Sequence, residues 1–271
     1  MGDPARFTGP GPFRTDQIGD KSRYELSDGH AIHCAPQGGD GARGALAGGL
    51  ALDTDPDVES AGFDAGFTPD ERNMRAPDLS VGNVPDRPGF IAGAPALAVE
   101  YASTGQDEAS LQAKIGELLE QGTKWVWVVR LLGARHVEVH AKGEPVRVRG
   151  VGDTLTAPGV LRNPVPVEAL FDRTIAREVA LRNLLQRHGY DGVESIREEG
   201  REEGREEGRQ EGREEGRDEG ALQALRAAVL QVAEARGASL TPEWQARLDA
   251  CSDPAQLTAW LAALARDERL E

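Results

Sequence analysis

The stretch between Pro95 and Leu131 limits the fold more than anything else in the chain. Pro95-Ala-Leu-Ala-Val-Glu-Tyr101 is a short apolar run with the length of a buried strand. From Gln106 to Gln121 apolar residues recur at helical spacing, with Leu111, Ile115, Leu118 and Leu119 on one face. Gly122 supplies the stop. Lys124-Trp-Val-Trp-Val-Val-Arg-Leu131 is a second, nearly continuous apolar run rich in β-formers. Strand, helix, strand over so short a span predicts a βαβ unit whose parallel strands are buried in a sheet. His136-Val-Glu-Val-His140 and Val146-Arg-Val-Arg149 then alternate on either side of Lys142-Gly-Glu-Pro145, which predicts a hairpin with one wet face. The chain is of the α/β class.

Composition divides the 271 residues into four parts. Residues 1–21, rich in Gly, Pro and Asp, read as a flexible lead-in. Residues 22–171 mix short apolar runs with turn signals and form the main domain. Residues 172–220 are expected to be a helical connector. Within it, Arg197-Glu-Glu-Gly200 recurs with small variations through Arg217-Asp-Glu-Gly220. A period of four leaves each residue type on a slowly drifting helical stripe. Glu198 and Arg201, at i and i+3, can pair. Against this, each glycine costs a helix about 1 kcal/mol relative to Ala. A helical spacer, a self-association seam along the glycines and a partly frayed linker are all open. The apolar heptads of an ordinary coiled coil are missing. Residues 221–271 predict a small helical bundle. A first helix runs from Ala221 to Arg236 and stops at Gly237; Thr241-Pro242 and Ser252-Asp253-Pro254 start two more.

Acids on strands carry the chemistry. Asp78 begins the predicted strand Leu79-Ser80-Val81, and Glu100 ends an otherwise apolar one. A carboxylate there is costly unless paired or bound to a cation. Two such groups converging would hold a hard divalent ion such as Mg²⁺ through oxygen. That ion would activate a water and stabilise charge on a scissile phosphate. A lysine beside them would orient the nucleophile or neutralise the transition state, and Lys114, about two turns into the helix after Glu100, is a candidate. The bland alternatives are a turn acid at Asp78, an arginine partner for Glu100 and an ordinary exposed lysine at position 114. His136, Glu138 and His140 share a strand face that reads as solvated rather than metal-binding. His30, His33 and Cys34 fit no compact zinc spacing.

The order of several segments resembles the Uma-two family of restriction-endonuclease-like proteins. Arg23-Tyr-Glu-Leu-Ser-Asp-Gly29 is similar to its opening "YEL-x-DG", and Arg75-Ala-Pro-Asp-Leu-Ser80 to its "APD" segment. Pro95 to Ser103 resembles "P-x-LVVEVLSPS", and Lys114 with Gly122-Thr-Lys-Trp-Val-Trp-Val-Val129 resembles "K…L-x-x-G-x-x-x-VWVVD". Asp153-Thr-Leu155 through Leu161, then Leu170-Phe171, fit the closing pattern, so the likeness covers about residues 22–171. It implies the PD-(D/E)XK fold, a mixed sheet, with the lysine displaced onto the helix. It also implies Asp78 and Glu100 as metal ligands, Lys114 as the catalytic lysine and Glu25 as an auxiliary acid. Ala102 stands where the plain motif has lysine, and Asp40 where family members often carry histidine. The helix after Asp40 is rich in Gly and Ala. The repeat with its helical tail also resembles the C-terminal ends of Rpn-type recombination-promoting nucleases.

These readings predict an endonuclease that uses Mg²⁺ (or Mn²⁺) to hydrolyse DNA phosphodiesters, and homo-oligomerises through residues 172–271. The rival is an inactive assembly protein on a nuclease fold. The net charge of −15 favours the rival, because phosphate contacts need Lys and Arg. Part of that charge sits in the repeat, where six Arg meet eleven acids for a net −5. No apolar run approaches the roughly 18 residues of a membrane span. The N-terminus has no apolar signal segment, and the two cysteines, Cys34 and Cys251, suggest no disulfide framework. A cytoplasmic protein is expected.

Overall fold

A computed structural model describes residues 11–19, 22–105, 107–237 and 241–266. It divides into two compact units, 1–193 and 194–271. The first unit opens with β1 (Tyr24–Ser27), β2 (His30–His33), α1 (Gly39–Asp53), β3 (Ala61–Phe63) and β4 (Phe67–Asp70). It continues with β5 (Asn73–Arg75), β6 (Leu79–Val81), β7 (Ile91–Ala92), β8 (Leu97–Ala102), α2 (Glu108–Glu120) and β9 (Trp125–Arg130). It closes with β10 (His136–His140), β11 (Arg147–Gly150), β12 (Thr154–Leu155), β13 (Val165–Pro166) and α3 (Arg173–Arg187).

The central sheet has the order β11-β10-β9-β8-β6-β3, and the second sheet the order β2-β1-β5-β4-β7. In the central sheet only β8 and β9 are parallel, joined by α2 as the expected crossover. All six residues of β8 are buried because both faces of this strand are covered. Leu97, Val99 and Tyr101 join a large core with α1 and α3, whereas Ala98 and Ala102 pack with Leu111, Ile115 and Leu118 of α2. Alternation along the strand therefore puts Glu100 on the α2 face. Asp107 caps α2 by accepting a hydrogen bond from Ser110 N. Gln106, the first residue of the helix expected from sequence, lies outside the described residues.

The glycines of α1 allow close approach to the sheet. A methyl on Gly44 would stand 2.8 Å from Tyr101 Cε1, and methyls on Gly48 and Gly49 would overlap the Tyr101 hydroxyl and the Phe63 ring. The small residues are thus matched to two aromatic rings.

The first unit runs past the 171/172 boundary drawn from sequence, because α3 anchors α1. Asn183 Nδ2 donates to Ala51 O at 3.1 Å. The Arg187 guanidinium donates to Thr54 O at 2.9 Å and to Asp53 O at 2.8 Å, satisfying carbonyls left open where α1 ends. At the other end, part of the expected lead-in is packed: Ile18 is buried with Leu26 and Met74, while residues 1–10, 20 and 21 lie outside the described residues.

In the second unit the repeat and the first bundle helix are one element, α4 (Val193–Ala235), followed by α5 (Pro242–Ala250) and α6 (Pro254–Ala265). No repeat glycine interrupts α4, and a methyl on any of them would meet nothing within 4 Å. The last turns of α4 bury Val229 and Ala233 against Leu248, Cys251, Leu257 and Leu264. Thr241 and Asp253 cap α5 and α6 at the expected positions.

Candidate active site

Antiparallel pairing of β6 with β8 sets Leu79 against Val99. One step further in the same register sets Asp78 against Glu100, and Asp78 Oδ2 accepts from Tyr101 N at 2.6 Å. Side chains directly opposite on one sheet face have Cβ atoms about 5 Å apart, and like charges there repel. Lys114 comes down from α2, three residues beyond the buried Leu111. Its Nζ lies 2.8 Å from Glu100 Oε1 and 3.0 Å from Glu25 Oε1, and donates to Ala76 O at 2.9 Å. These three partners match the three donors of an ammonium group. The structure thus brings together all four residues singled out from sequence, Glu25, Asp78, Glu100 and Lys114. Ala102 packs in the apolar cluster beneath α2, where a lysine would have to bury its charge.

Arg75, at the end of β5, completes the arrangement and was not singled out from sequence. It is 1% exposed. Its Nη1 donates to Glu25 Oε2 at 2.9 Å and its Nε to Glu117 Oε2 at 2.6 Å. Ser27 Oγ donates to the other Glu117 oxygen at 2.5 Å. Charges therefore alternate from Glu117 through Arg75, Glu25 and Lys114 to Glu100. The only local signal was an arginine directly before Ala-Pro-Asp.

Burial pushes Glu100 up to about 8; Lys114 pulls it back, and the charges of Asp78 and Glu25 add to the rise. Asp78 is also raised by burial, against the pull of Lys114 and the hydrogen bond from Tyr101 N. At Glu25 burial opposes ionisation, but Lys114 and Arg75 outweigh it and hold the carboxyl below the usual range. Burial likewise disfavours the Lys114 charge, and the three carboxylates more than restore it. The neighbouring Cys34 thiol is pushed up to about 11, by burial and then by Glu25, and so stays neutral.

Glu25, Asp78, Glu100 and Lys114 line a cleft of about 330 Å³ together with Cys34, Gln37 and Arg75. A second hollow of about 390 Å³ shares Glu25, Gln37, Asp78 and Lys114 and adds Arg23 and Asp64. Five acids (Glu25, Asp64, Asp78, Glu100 and Asp107) line the two against three Arg or Lys side chains, Arg23, Arg75 and Lys114. Asp40 accepts a hydrogen bond from Ser103 Oγ, tying the start of α1 to the residue after β8 at the rim. Two opposed carboxyls, Glu100 buried and Asp78 half-buried, fit a hard dication, since Mg²⁺ sites commonly combine one or two protein acids with several waters. Among the described residues no group of three or more His, Cys, Asp or Glu is placed to hold a metal ion, so His30, His33 and Cys34 form no site.

The hairpin face carrying His136, Glu138 and His140 is a polar cluster instead of an open wet face. Arg130 Nε donates to Glu138 at 2.9 Å, and its two terminal nitrogens donate to Glu108 at 2.8 Å each. Hydrogen bonds from Arg130 and Gln112 draw Glu108 down to about 2. His140 is itself buried, and burial lowers its pKa. The cluster pins the first turn of α2, and with it the helix that carries Lys114, to the sheet.

The model of the Uma2 family, described as "Putative restriction endonuclease", matches residues 13–165. The chain belongs to the Uma2 family. This match begins earlier and ends slightly earlier than the 22–171 span drawn from motifs. It contains Glu25, Asp78, Glu100 and Lys114, so the whole charge cluster lies within the Uma2 domain. A crystal structure of a "putative nuclease belonging to DUF820" from Anabaena variabilis is 20% identical over 56% of this chain and 90% of its own, with a TM-score of 0.46. That overlap adds nothing to the Uma2 match. No curated protein matches the chain.

Proposed function

We propose that the cleft of the first unit is a Mg²⁺- or Mn²⁺-dependent endonuclease centre that hydrolyses DNA phosphodiesters. The observation that carries this reading is the convergence of Asp78, Glu100 and Lys114, with Lys114 Nζ 2.8 Å from Glu100 Oε1. Asp78 and Glu100 would hold the ion. When bound, it would lower the pKa of a water and draw charge from the scissile phosphate. Lys114, held protonated, places a positive charge where a phosphate oxygen gains negative charge. Glu25 does not face the ion in this reading; its charge is matched to Lys114 and Arg75. Residues 172–271 would bring copies together so that two clefts serve two strands. Within that span, α3 belongs to the first unit, which leaves α4 to α6 as the associating part. No helix of the described residues is long and apolar enough to cross a membrane, and the reading places the protein in the cytoplasm.

A second reading, an assembly protein that has lost nuclease activity, is favoured by the acidic lining of the cleft, since each phosphate contact needs a cation. Cleavage of plasmid and single-stranded DNA with Mg²⁺ or Mn²⁺ separates the two. The nuclease reading expects cutting that falls about 100-fold or more in Glu100→Ala and in Lys114→Ala. No cutting by the wild type over a range of metals and salt, or cutting that survives both substitutions, selects the assembly protein.

A further inference from the structure

Lys114 has two carboxylate partners in different situations. Glu25 is fixed by other donors: Oε2 accepts from Arg75 at 2.9 Å and Oε1 from Ala76 N at 3.2 Å. Arg75 is in turn anchored on Glu117 at 2.6 Å. Glu100 has Lys114 as its one cationic contact among the described residues, at 2.8 Å, and it is also the acid set opposite Asp78. An ion shared by Asp78 and Glu100 must therefore compete with the Lys114 ammonium for Glu100. The lysine yields most easily if another fixed negative charge holds it, and Glu25 stands 3.0 Å away, beside the Ala76 carbonyl that also accepts from it.

We infer that Glu25, oriented by Arg75, is a positioning residue that holds Lys114 away from Glu100 when a divalent ion binds, so the catalytic lysine and the ion do not compete for one carboxylate. This rests on the metal-site reading of Asp78 and Glu100. It assigns Glu25 an effect on ion affinity without making it a ligand. Partners of this kind typically change metal affinity by about 10- to 100-fold when removed.

The test is calorimetric titration of the full chain with MnCl₂ and MgCl₂, without DNA. Glu25→Gln keeps the shape and removes the charge, so Lys114 should lean on Glu100 and ion affinity should fall about 10-fold or more. Adding Lys114→Met removes the competitor, so the double variant should return to wild-type affinity or tighter. Lys114→Met alone should bind at least as tightly as wild type, which keeps the inference testable even if Glu25→Gln fails to fold. Wild type that binds neither ion at millimolar concentration overturns the metal-site reading and the inference with it. Wild type that binds, with Glu25→Gln unchanged, overturns the inference alone. Weak binding that persists in the double variant makes Glu25 a ligand, and weaker binding by Lys114→Met shows that the lysine does not compete; either result also overturns it.

Discussion

The cleft and the repeat helix use the same residue types, Arg and Glu, to opposite effect. In the cleft the charges are buried or half-buried and tied at short range, Glu117 to Arg75 to Glu25 to Lys114 to Glu100. Along α4 they are exposed, and the ion pairs are of the Arg197–Glu194 and Arg209–Glu206 kind, the latter at 3.6 Å. Water screens the second set, and each member is nearly independent of its neighbours. The first set is largely withdrawn from water, so each member makes its neighbours tolerable. Glycine repeats the contrast: on α1 it admits Tyr101 and Phe63, and on α4 it admits nothing.

Removing a cation from each region is the largest test. Arg75→Met removes the cation shared by Glu25 and Glu117 and should destabilise the first unit by about 3 kcal/mol in denaturant unfolding. If it costs under about 1 kcal/mol, the buried chain of charges is not coupled as described. Next comes a methyl added to each helix. Gly48→Ala pushes into the Tyr101 hydroxyl and should destabilise by about 1–3 kcal/mol. Gly208→Ala should stabilise α4 by about 1 kcal/mol, read as a rise in helix content or melting temperature. The same substitution giving the same sign at both sites would remove the distinction. The smallest effect is expected at Arg205→Ala, within about 0.5 kcal/mol of wild type.

A pH series sharpens the comparison without mutation. Glu25 has a folded value below its ordinary 4.5, so its charge favours folding fully above that pH. That contribution is lost as pH falls through the lower, folded value. Glu100 is the reverse: raised from 4.5 to about 8, its neutral form favours folding fully below 4.5, and the contribution is lost as pH rises through about 8. Without divalent ion, the melting temperature of the first unit should fall on either side of a maximum in the acid range. In the proposed metal site Mg²⁺ would take the place of the proton on Glu100 and should flatten the upper limb. A profile in chelator that stays level between about pH 5 and pH 8 would contradict the burial argument.

The parts of this molecule that sequence made legible are those fixed by local pattern. The apolar run around Glu100, which the strand carries on to Ala102, the Leu111–Ile115–Leu118 stripe and Gly122 are enough to set β8, α2 and β9, because apolar periodicity and a helix stop act within a few turns. Asp78 and Lys114 needed the family likeness as well, since neither is unusual on its own. Arg75 was not legible: its partners Glu25 and Glu117 are 50 and 42 residues away, and the acids near it in the chain, Asp70, Glu71 and Asp78, are not the ones it pairs with. Nor was the docking of α3: its small stripe of Ala176, Val179 and Ala180 is buried, but the polar anchors Asn183 and Arg187 bond to carbonyls at the far-off end of α1. The glycines of α1 were legible only as a helix rich in Gly and Ala, because the rings that fill the space, Tyr101 and Phe63, come from β8 and β3. The α4 glycines suggested fraying, and the helix nonetheless runs through them.

The unbroken repeat also behaves like a screw thread with discrete settings. Gaining or losing one four-residue unit would change the length of α4 by about 6 Å and, since four residues are slightly more than one turn, rotate its far end by about 40°. Because the repeat glycines touch nothing and the charges recur with the same period, such a step would break no packing. The number of repeats is therefore an adjustable coordinate, linking reach and facing angle for the Val229 end of the helix in a fixed ratio. A single-residue insertion would turn that end by about 100° and throw the stripes out of phase.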